Sequence, residues 1–248
     1  MAGAVLRASH VSKRYGGVAA LDDVSLEVAD GECVALVGES GSGKSTLLRV
    51  FNGLTTLDHG EVWVDGHDLR QLDPIALRRG IGYVPQDGGL LPHWTVTANA
   101  ALVPTLTGRA DATALAVEAL ELVGLPVAQF GARWPHELSG GQRQRVAFAR
   151  ALAAGARVVL LDEPFGALDA LTRSDLQAMF LALRRRTPVA ALLVTHDLHE
   201  AALLADRIAV IRGGRIEQTS TADELRAHPA TPYVAALLAR ARFMGAST

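Results

Sequence analysis

The sequence predicts an α/β fold made of a parallel-stranded core, an antiparallel β subdomain near the N-terminus and an inserted α-helical subdomain. The stretch "CVALVG" at 33–38 is a continuous apolar run, which is typical of a parallel strand covered on both faces. Residues 5–30 alternate apolar and polar side chains in short runs, which indicates antiparallel strands. From about 87 to 155 the chain changes to alanine- and leucine-rich helical patterns with no predicted strand between them.

The other elements follow in chain order. The glycine-rich stretch after "CVALV" leads into a predicted helix, "STLLRVFNGL", and an Asp-Gly turn makes "GEVWVDGHDL" a predicted hairpin. After the helical insertion the pattern continues as strand "RVVLLDEP", helix "SDLQAMFLALRRR", strand "PVAALLVTH", helix "DLHEAALLA" and hairpin "RIAVIRGGRIEQT". We therefore expect one domain, with a core at about 1–86 and 156–220, a helical subdomain at about 87–155 and closing helices at about 221–243.

Composition excludes several classes of protein. The net charge of −2, with 20% charged residues, does not favour a nucleic-acid-binding protein. The only cysteine, Cys33, cannot form an internal disulfide and fits a reducing compartment, where we expect it as an inert core thiol. The N-terminus lacks the apolar segment of a secretory signal, and the apolar runs are shorter than the ~18–20 residues of a membrane span. We expect a soluble chain that could act at a membrane only as a peripheral partner.

The stretch "GESGSGKST" matches the phosphate-loop pattern G-x-x-x-x-G-K-[ST] and lies between a predicted strand and a predicted helix. Its glycines let the backbone wrap phosphate groups, Lys44 supplies a positive charge near the β- and γ-phosphates, and Ser45 offers a hydroxyl to Mg²⁺. The alternative is a structural glycine turn beside an ordinary surface lysine. The residues assigned to the nucleotide here are Gly38, Ser40, Gly41, Ser42, Gly43, Lys44, Ser45 and Thr46.

Polar residues follow several predicted buried strands. Asp162 ends the apolar run "VVLL" and fits the acid that anchors Mg²⁺ in phosphate-loop ATPases. Because side chains alternate along a strand, we expect Glu163 to point to the opposite face from Asp162, where it could orient and deprotonate the attacking water. A solvated strand-end residue is the alternative. His196 and Gln86 also follow predicted strands, at the edge where open α/β sheets bind ligands. A histidine there is often structural, but beside the two acids and the glycine-rich loop we expect His196 to contact the γ-phosphate. Gln86 could bond both Mg²⁺-bound water and the nucleophile.

A second glycine turn, "LSGGQ" at 138–142, places Ser139, Gly140 and Gly141 at the start of a predicted helix. The positive end of a helix favours an anion, yet this turn has no lysine or acid of its own. It therefore suits half of a site that another chain completes.

Taken together and in order, "GESGSGKST", "LSGGQ", "VVLLDEP", "FGALD" and "LLVTH" resemble the ATP-binding subunit of an ABC transporter over nearly the whole chain. The resemblance implies a P-loop NTPase (RecA-like) core and a homodimer that closes head to tail around two ATP molecules with Mg²⁺. Ser139, Gly140, Gly141 and Gln142 of one chain would then cap the ATP held by the other. It also implies that Tyr15 in "VSKRYGG" stacks on adenine, that Asp169 in "GALD" links the two sites and that Glu163 is the catalytic glutamate.

The same resemblance implies partners and a location. Closure of the dimer around ATP would be transmitted through the helical insertion to transmembrane permease subunits. Residues just after Gln86 would contact those subunits. An extracytoplasmic substrate-binding protein would act indirectly, and the chain would lie on the cytoplasmic face of a bacterial membrane.

The stretch "GLLPHWTVTANAALVP", with "EPFGALDALTR", resembles the ATPases of osmoprotectant importers for quaternary amines such as glycine betaine, choline and carnitine. Members of that group often carry C-terminal CBS domains, so the end at Thr248 leads us to expect that such regulation is absent or supplied elsewhere. Importer ATPases for amino acids, sulfonates or another small solute remain an alternative. So does a soluble ABC ATPase acting on ribosomes or DNA, although the second cassette or coiled-coil arms usual in those relatives are not seen.

Overall fold

The computed structural model describes residues 4–187 and 189–245, and for 242–245 it describes only the backbone. The chain forms two compact units, one made of Met1–Pro74 with Ala190–Thr248 and the other of Ile75–Val189. Each unit contains strands and helices, which agrees with the predicted α/β class.

The first unit contains an antiparallel sheet with the strand order β2-β1-β4-β5. Buried Leu21, Val24 and Leu26 alternate with more exposed residues along the second strand, as the sequence pattern predicts for one covered face. The turn between β4 and β5 is Asp65–Gly66, and both residues have a positive φ, which confirms the predicted Asp-Gly hairpin. The four strands are β1 (Ala4–Tyr15), β2 (Val18–Ala29), β4 (His59–Val64) and β5 (His67–Asp68).

The first unit also contains parallel strands, with β3 (Cys33–Val37) between β8 (Ala190–Thr195) and β9 (Arg207–Arg212). Every residue of β3 and β8 is buried, Cys33 included, which confirms the prediction from continuous apolar runs. The last strand, β10 (Arg215–Ser220), pairs antiparallel with β9. The helices of this unit are α1 (Lys44–Phe51), α9 (Leu198–Leu204), α10 (Ala222–Ala227) and α11 (Pro232–Gly245).

The second unit combines one parallel strand pair with helices. Strands β6 (Ile81–Val84) and β7 (Val158–Asp162) are in parallel register, with Val84 opposite Leu161. Residues 87–157, all of which are described, contain no strand. The helices are α2 (Pro74–Gly80), which begins at the boundary between the units, α3 (Val96–Ala100), α4 (Leu102–Leu106), α5 (Ala112–Leu122), α6 (Val127–Phe130), α7 (Gly140–Ala153) and α8 (Ala170–Arg186).

Three buried phenylalanine rings hold the second unit together. Phe148 of α7 lies 6.3 Å from Phe165, which follows β7, and 5.8 Å from Phe180 of α8, measured between ring centroids. None of the three is more than 1% exposed. The cluster therefore fixes the segment after β7 against two helices by burial of apolar area.

Among the helices of the described ranges, none has both the length and the apolar content required to cross a bilayer.

We predict that Phe148→Ala lowers the free energy of unfolding by about 3–5 kcal/mol, because it leaves a cavity between two other rings. Leu171→Ala is the control, since Leu171 is 75% exposed and its loss should change stability by no more than about 0.5 kcal/mol. Urea unfolding followed by circular dichroism measures both. Equal stabilities of the two variants would contradict the role of the ring cluster.

Candidate functional site

The phosphate loop of the first unit runs from Gly38 to Gly43, between β3 and α1. Gly41 and Gly43 have φ angles of 78° and 109°, a region that side chains other than glycine rarely adopt. A Cβ atom at Gly38 would overlap the carbonyl of Ile211, and one at Gly43 would overlap the carbonyl of Ala20. Glycine is therefore required at these positions by conformation and by close packing of the backbone.

Lys44 is the first residue of α1 and is 5% exposed. Its Nζ donates hydrogen bonds to the carbonyls of Gly38, at 2.8 Å, and Glu39, at 2.9 Å. The ammonium group is thus held at the loop, beside the positive end of a helix that has no acid in its first turn. Ser42 is also buried, and its Oγ has no hydrogen-bond partner. This combination of charge and polar atoms fits a polyphosphate.

The structure brings His196 to the same sheet edge as the phosphate loop. Val37 and Thr195 are paired at the ends of parallel strands, so Gly38 and His196 follow them at one edge. The turn after β8 is fixed because Asp197 accepts hydrogen bonds from the backbone N–H groups of two α9 residues and the buried Thr195 hydroxyl donates to the Glu200 carboxylate. His196 itself is exposed at this edge.

Tyr15 is the last residue of β1 and pairs with Val18, two residues before Ala20, whose carbonyl lies against Gly43. The Tyr15 side chain is half exposed, and the Lys13 ammonium lies 5.4 Å from its ring centroid. The ring is therefore an accessible aromatic surface on the strand pair that contacts the phosphate loop.

In the second unit, Asp162 is the last residue of β7 and is buried. Glu163 lies beyond the strand and has a φ of 47°, so the prediction that it continues the strand alternation is wrong. The reason is a turn: the N–H of Gly166 donates to the Glu163 carbonyl at 3.2 Å while Phe165 inserts into the core. The orientation of Glu163 is thus set by the anchored turn and not by the strand.

The segment after this turn is fastened to α8. Arg173 donates to the carbonyls of Phe165, at 3.3 Å, and Leu168, at 2.9 Å. Asp169 caps the helix by accepting a hydrogen bond from the Thr172 N–H at 3.0 Å. These bonds from Thr172 hold the pKa of the Asp169 carboxyl below its ordinary value, so the group is anionic at neutral pH.

The "LSGGQ" turn begins α7 with a reciprocal cap. The Ser139 Oγ accepts from the Gln142 N–H at 3.2 Å, and the Gln142 side-chain oxygen accepts from the Ser139 N–H at 2.9 Å. A Cβ atom at Gly141 would overlap the Thr172 methyl group, and one at Gly140 would lie 3.3 Å from Leu168. The structure therefore packs the start of α7 against the segment that contains Asp169.

Gln86 is exposed, two residues after the end of β6, and its strand pairs in parallel with the one that ends at Asp162.

The segment that follows Gln86 is held by Asn99, which is fully buried and was missed by sequence reasoning. Asn99 accepts from the Leu91 N–H at 2.8 Å and donates to the carbonyls of Leu91 and Trp94 at 3.1 and 3.0 Å. An asparagine in a short alanine-rich helix gives no sequence signal for such an anchor.

A groove of about 560 Å³ opens beside this segment. Trp94 and Trp134 both line it, and Trp134 is 40% exposed. The other lining residues are His93, Thr95, Thr97, Ala98, Ala101, Thr105 and Thr113. An open groove with two tryptophans is typical of a protein-binding surface.

The predicted site residues divide between the two units. Tyr15, the phosphate loop and His196 belong to the first; Gln86, Ser139 to Gln142, Asp162, Glu163 and Asp169 belong to the second. Among the residues that the structure describes, no group of three or more His, Cys, Asp or Glu side chains could hold a metal by itself.

Comparison with known proteins gives matches over most of the chain. The family model described as "ABC transporter" matches residues 21–166. The glycine betaine/carnitine/choline transport ATP-binding protein OpuCA of Bacillus subtilis is 42% identical over 97% of this chain and 64% of its own length. The sulfate/thiosulfate import ATP-binding protein CysA of Nocardia farcinica is 46% identical over 94% of this chain and 70% of its own length.

A solved dimeric structure of the ATP-binding cassette MJ0796, in a post-hydrolysis state bound to ADP and Pi, is also similar. Its TM-score is 0.78 and its sequence identity 33%, over 88% of this chain and 98% of that one. The chain spans less than two thirds of the length of the osmoprotectant-type relatives that it matches.

Proposed function

The chain belongs to the ABC transporter family, and we propose that it is the ATP-binding and ATP-hydrolysing subunit of a bacterial importer of a small solute. The observation that carries this proposal is the phosphate loop, in which a buried lysine and glycines required by packing precede a helix N-terminus. Such a loop suits a nucleoside triphosphate, because its charge and N–H groups converge on phosphate oxygens.

In the first unit, the loop residues hold the phosphates of ATP and Tyr15 stacks on the adenine. Lys44 neutralises charge on the β- and γ-phosphates, and the buried Ser42 region gives the loop its fixed shape. His196 contacts the γ-phosphate from the neighbouring strand end. The shared sheet edge of Gly38 and His196 supports this assignment.

We assign Mg²⁺ to the hydroxyl of Ser45, the carboxylate of Asp162 and the amide of Gln86. Phosphate and water oxygens would supply the remaining ligands, as Mg²⁺ prefers. When bound, Mg²⁺ stabilises the negative charge on the transferred phosphoryl group. Glu163 accepts the proton of the attacking water, and Gln86 orients that water.

The Ser139 turn completes the site in trans. It offers a capped helix N-terminus but no lysine, so it binds an anion that another copy already holds. We propose a homodimer in which two ATP molecules are each held between the phosphate loop of one chain and Ser139, Gly140 and Gly141 of the other. Asp169, packed beside this turn, links the two sites. The similar cassette MJ0796 is a dimer bound to ADP and Pi, which supports this arrangement.

The groove lined by Trp94 and Trp134 is the surface that we assign to the permease. It follows the Gln86 segment directly and lies within residues 87–155, which we propose as the helical subdomain beside a core at 1–86 and 156–220. ATP binding shifts the dimer from an open to a closed state, and the permease changes conformation with it. The chain then acts at the cytoplasmic face of the membrane, with a substrate-binding protein on the other side.

For the solute we propose a quaternary-amine osmoprotectant, in keeping with the OpuCA likeness and the "GLLPHWTVTANAALVP" stretch. Sulfate or thiosulfate is a second candidate, because the sulfate/thiosulfate relative has the higher identity, 46% against 42%. The solute crosses through the permease, so no side chain of this subunit selects it.

We predict that Glu163→Gln lowers the turnover of ATP by about 100-fold or more, because the amide cannot accept the proton. ATP should still bind, and the variant should elute as a dimer on gel filtration with ATP and Mg²⁺. Glu118→Gln, on the exposed face of α5, is the matched control and should hydrolyse ATP normally. Normal turnover by Glu163→Gln would remove this residue from the role of base.

Mixing two inactive variants tests the trans arrangement. Lys44→Ala removes the phosphate contact and Ser139→Arg blocks the cap, so each variant alone should be inactive. In a mixed dimer, one site takes Lys44 from one chain and Ser139 from the other, and activity should exceed the sum of the separate proteins. Lys44→Ala mixed with the double variant Lys44→Ala/Ser139→Arg cannot form a complete site and is the control. Mixed dimers without activity would contradict the arrangement.

Measuring solute uptake by cells that lack this chain tests which solute is transported. We expect loss of labelled glycine betaine, choline or carnitine uptake, restored by the wild-type chain but not by Lys44→Ala. Sulfate uptake should be unaffected. Loss of sulfate uptake with normal amine uptake would favour the second candidate.

A further inference from the structure

The loop after β6 is bonded to α7 through its backbone. The Gln144 Nε2 donates to the carbonyl of Gln86 at 2.6 Å and lies 3.4 Å from that of Pro85. Gln144 is 4% exposed, although it lies in a helix whose other buried residues are mainly apolar. Burial of an amide is unfavourable unless it is hydrogen-bonded. These contacts satisfy the Nε2 half of the Gln144 amide, whereas its buried Oε1 has no hydrogen-bond partner.

Arg150, two turns further along α7, holds the other half of the loop. Its two terminal nitrogens donate to the carbonyls of Gly89, at 2.7 Å, and Gly88, at 2.9 Å. Burial lowers the pKa of the Arg150 guanidinium, and the charge of nearby Asp87 opposes this effect. A partly buried cation that bonds to loop carbonyls fixes the loop more firmly than a neutral donor would.

The backbone of the loop is shaped to fit the helix. Gly88 has a φ of 78°, and a Cβ atom there would lie 3.4 Å from the Arg143 carbonyl oxygen. The loop closes on itself through hydrogen bonds from the Gly88 N–H to the Pro85 carbonyl and from the Gly89 N–H to the Asp87 carboxylate, both at 3.1 Å. The four tethered carbonyls, of residues 85, 86, 88 and 89, therefore belong to a single compact turn.

We infer that Gln144 and Arg150 are positioning residues that make the Gln86 loop and the helix starting at Ser139 move as one body. The inference rests on the proposed function, which gives Gln86 and Ser139 their roles at the nucleotide. A displacement of α7 would therefore move the Ser139 turn and the Gln86 side chain as a unit. A loop released from α7 would leave the ATP-binding residues of the first unit unchanged but would misplace Gln86.

Two variants test the tethers separately. Gln144→Glu keeps the size of the side chain but replaces the donor with an acceptor facing two carbonyls. Arg150→Met removes both charged donors and keeps an unbranched apolar stem. Arg145→Met is the matched control, because Arg145 also lies on α7 and donates to a carbonyl at 2.7 Å, but to that of Val123 in another loop.

Two measurements are made on the chain of 248 residues. Hydrogen–deuterium exchange follows the segment 85–91, and steady-state kinetics with ATP and Mg²⁺ separates kcat from KM. Both test variants should speed exchange in this segment by about 10-fold, with the interior of α7 unchanged. They should also lower kcat by about 10- to 100-fold with little change in KM, because a displaced group loses its alignment with the reacting atoms. The control should change neither quantity.

Unchanged exchange at 85–91, or a kcat equal to that of the control, would overturn the inference. Faster exchange throughout α7 would also overturn it, since that shows a general structural role. If Arg150→Met does not fold, Gln144→Glu and the conservative Arg150→Lys carry the test, and Arg150→Lys should restore part of the protection. A wild-type chain that does not hydrolyse ATP would refute the proposed function, while the exchange arm would still decide whether the tethers hold the loop.

Discussion

Parallel pairing of largely buried strands is the constraint on which both units depend. Strands covered on both faces carry apolar side chains along most of their length, so polar groups lie at the last residue of each strand or just after it. Parallel register then brings those ends to one edge. In the first unit Val37 lies opposite Thr195, which places the phosphate loop and His196 at that edge. In the second unit Val84 lies opposite Leu161, which places Gln86 and Asp162 at one edge of that strand pair.

Helix α7 organises the second unit around these strand ends. Its first residues carry the capped Ser139 turn, its middle carries Phe148 in the aromatic cluster, and Gln144 and Arg150 bond to the loop after β6. One element thus connects the predicted cap, the apolar core and the Gln86 loop. A rigid helix is well suited to this, because groups on it keep fixed distances from each other.

Local signals predicted most of the fold and, at the candidate site, the glycine-rich loop between β3 and α1. The phosphate loop, the Asp65–Gly66 hairpin and the buried strands depend on neighbouring residues, so their patterns are visible in sequence. The conformation of Glu163 is not local, because it follows from burial of Phe165 against helices distant in the chain. The anchors made by Gln144 and Arg150 join residues 58–62 positions apart, and no spacing rule reports such contacts.

The left-handed backbone conformation of Glu163 affects which substitutions would stabilise this protein. A residue with a Cβ atom pays roughly 1 kcal/mol for that conformation, whereas glycine adopts it freely. Replacement by glycine would relieve the strain and remove the carboxylate, so under the proposed function the more stable protein and the more active protein differ at this position. With Glu163 in the proposed role of base, selection for stability alone would favour glycine here and a chain that no longer hydrolyses ATP.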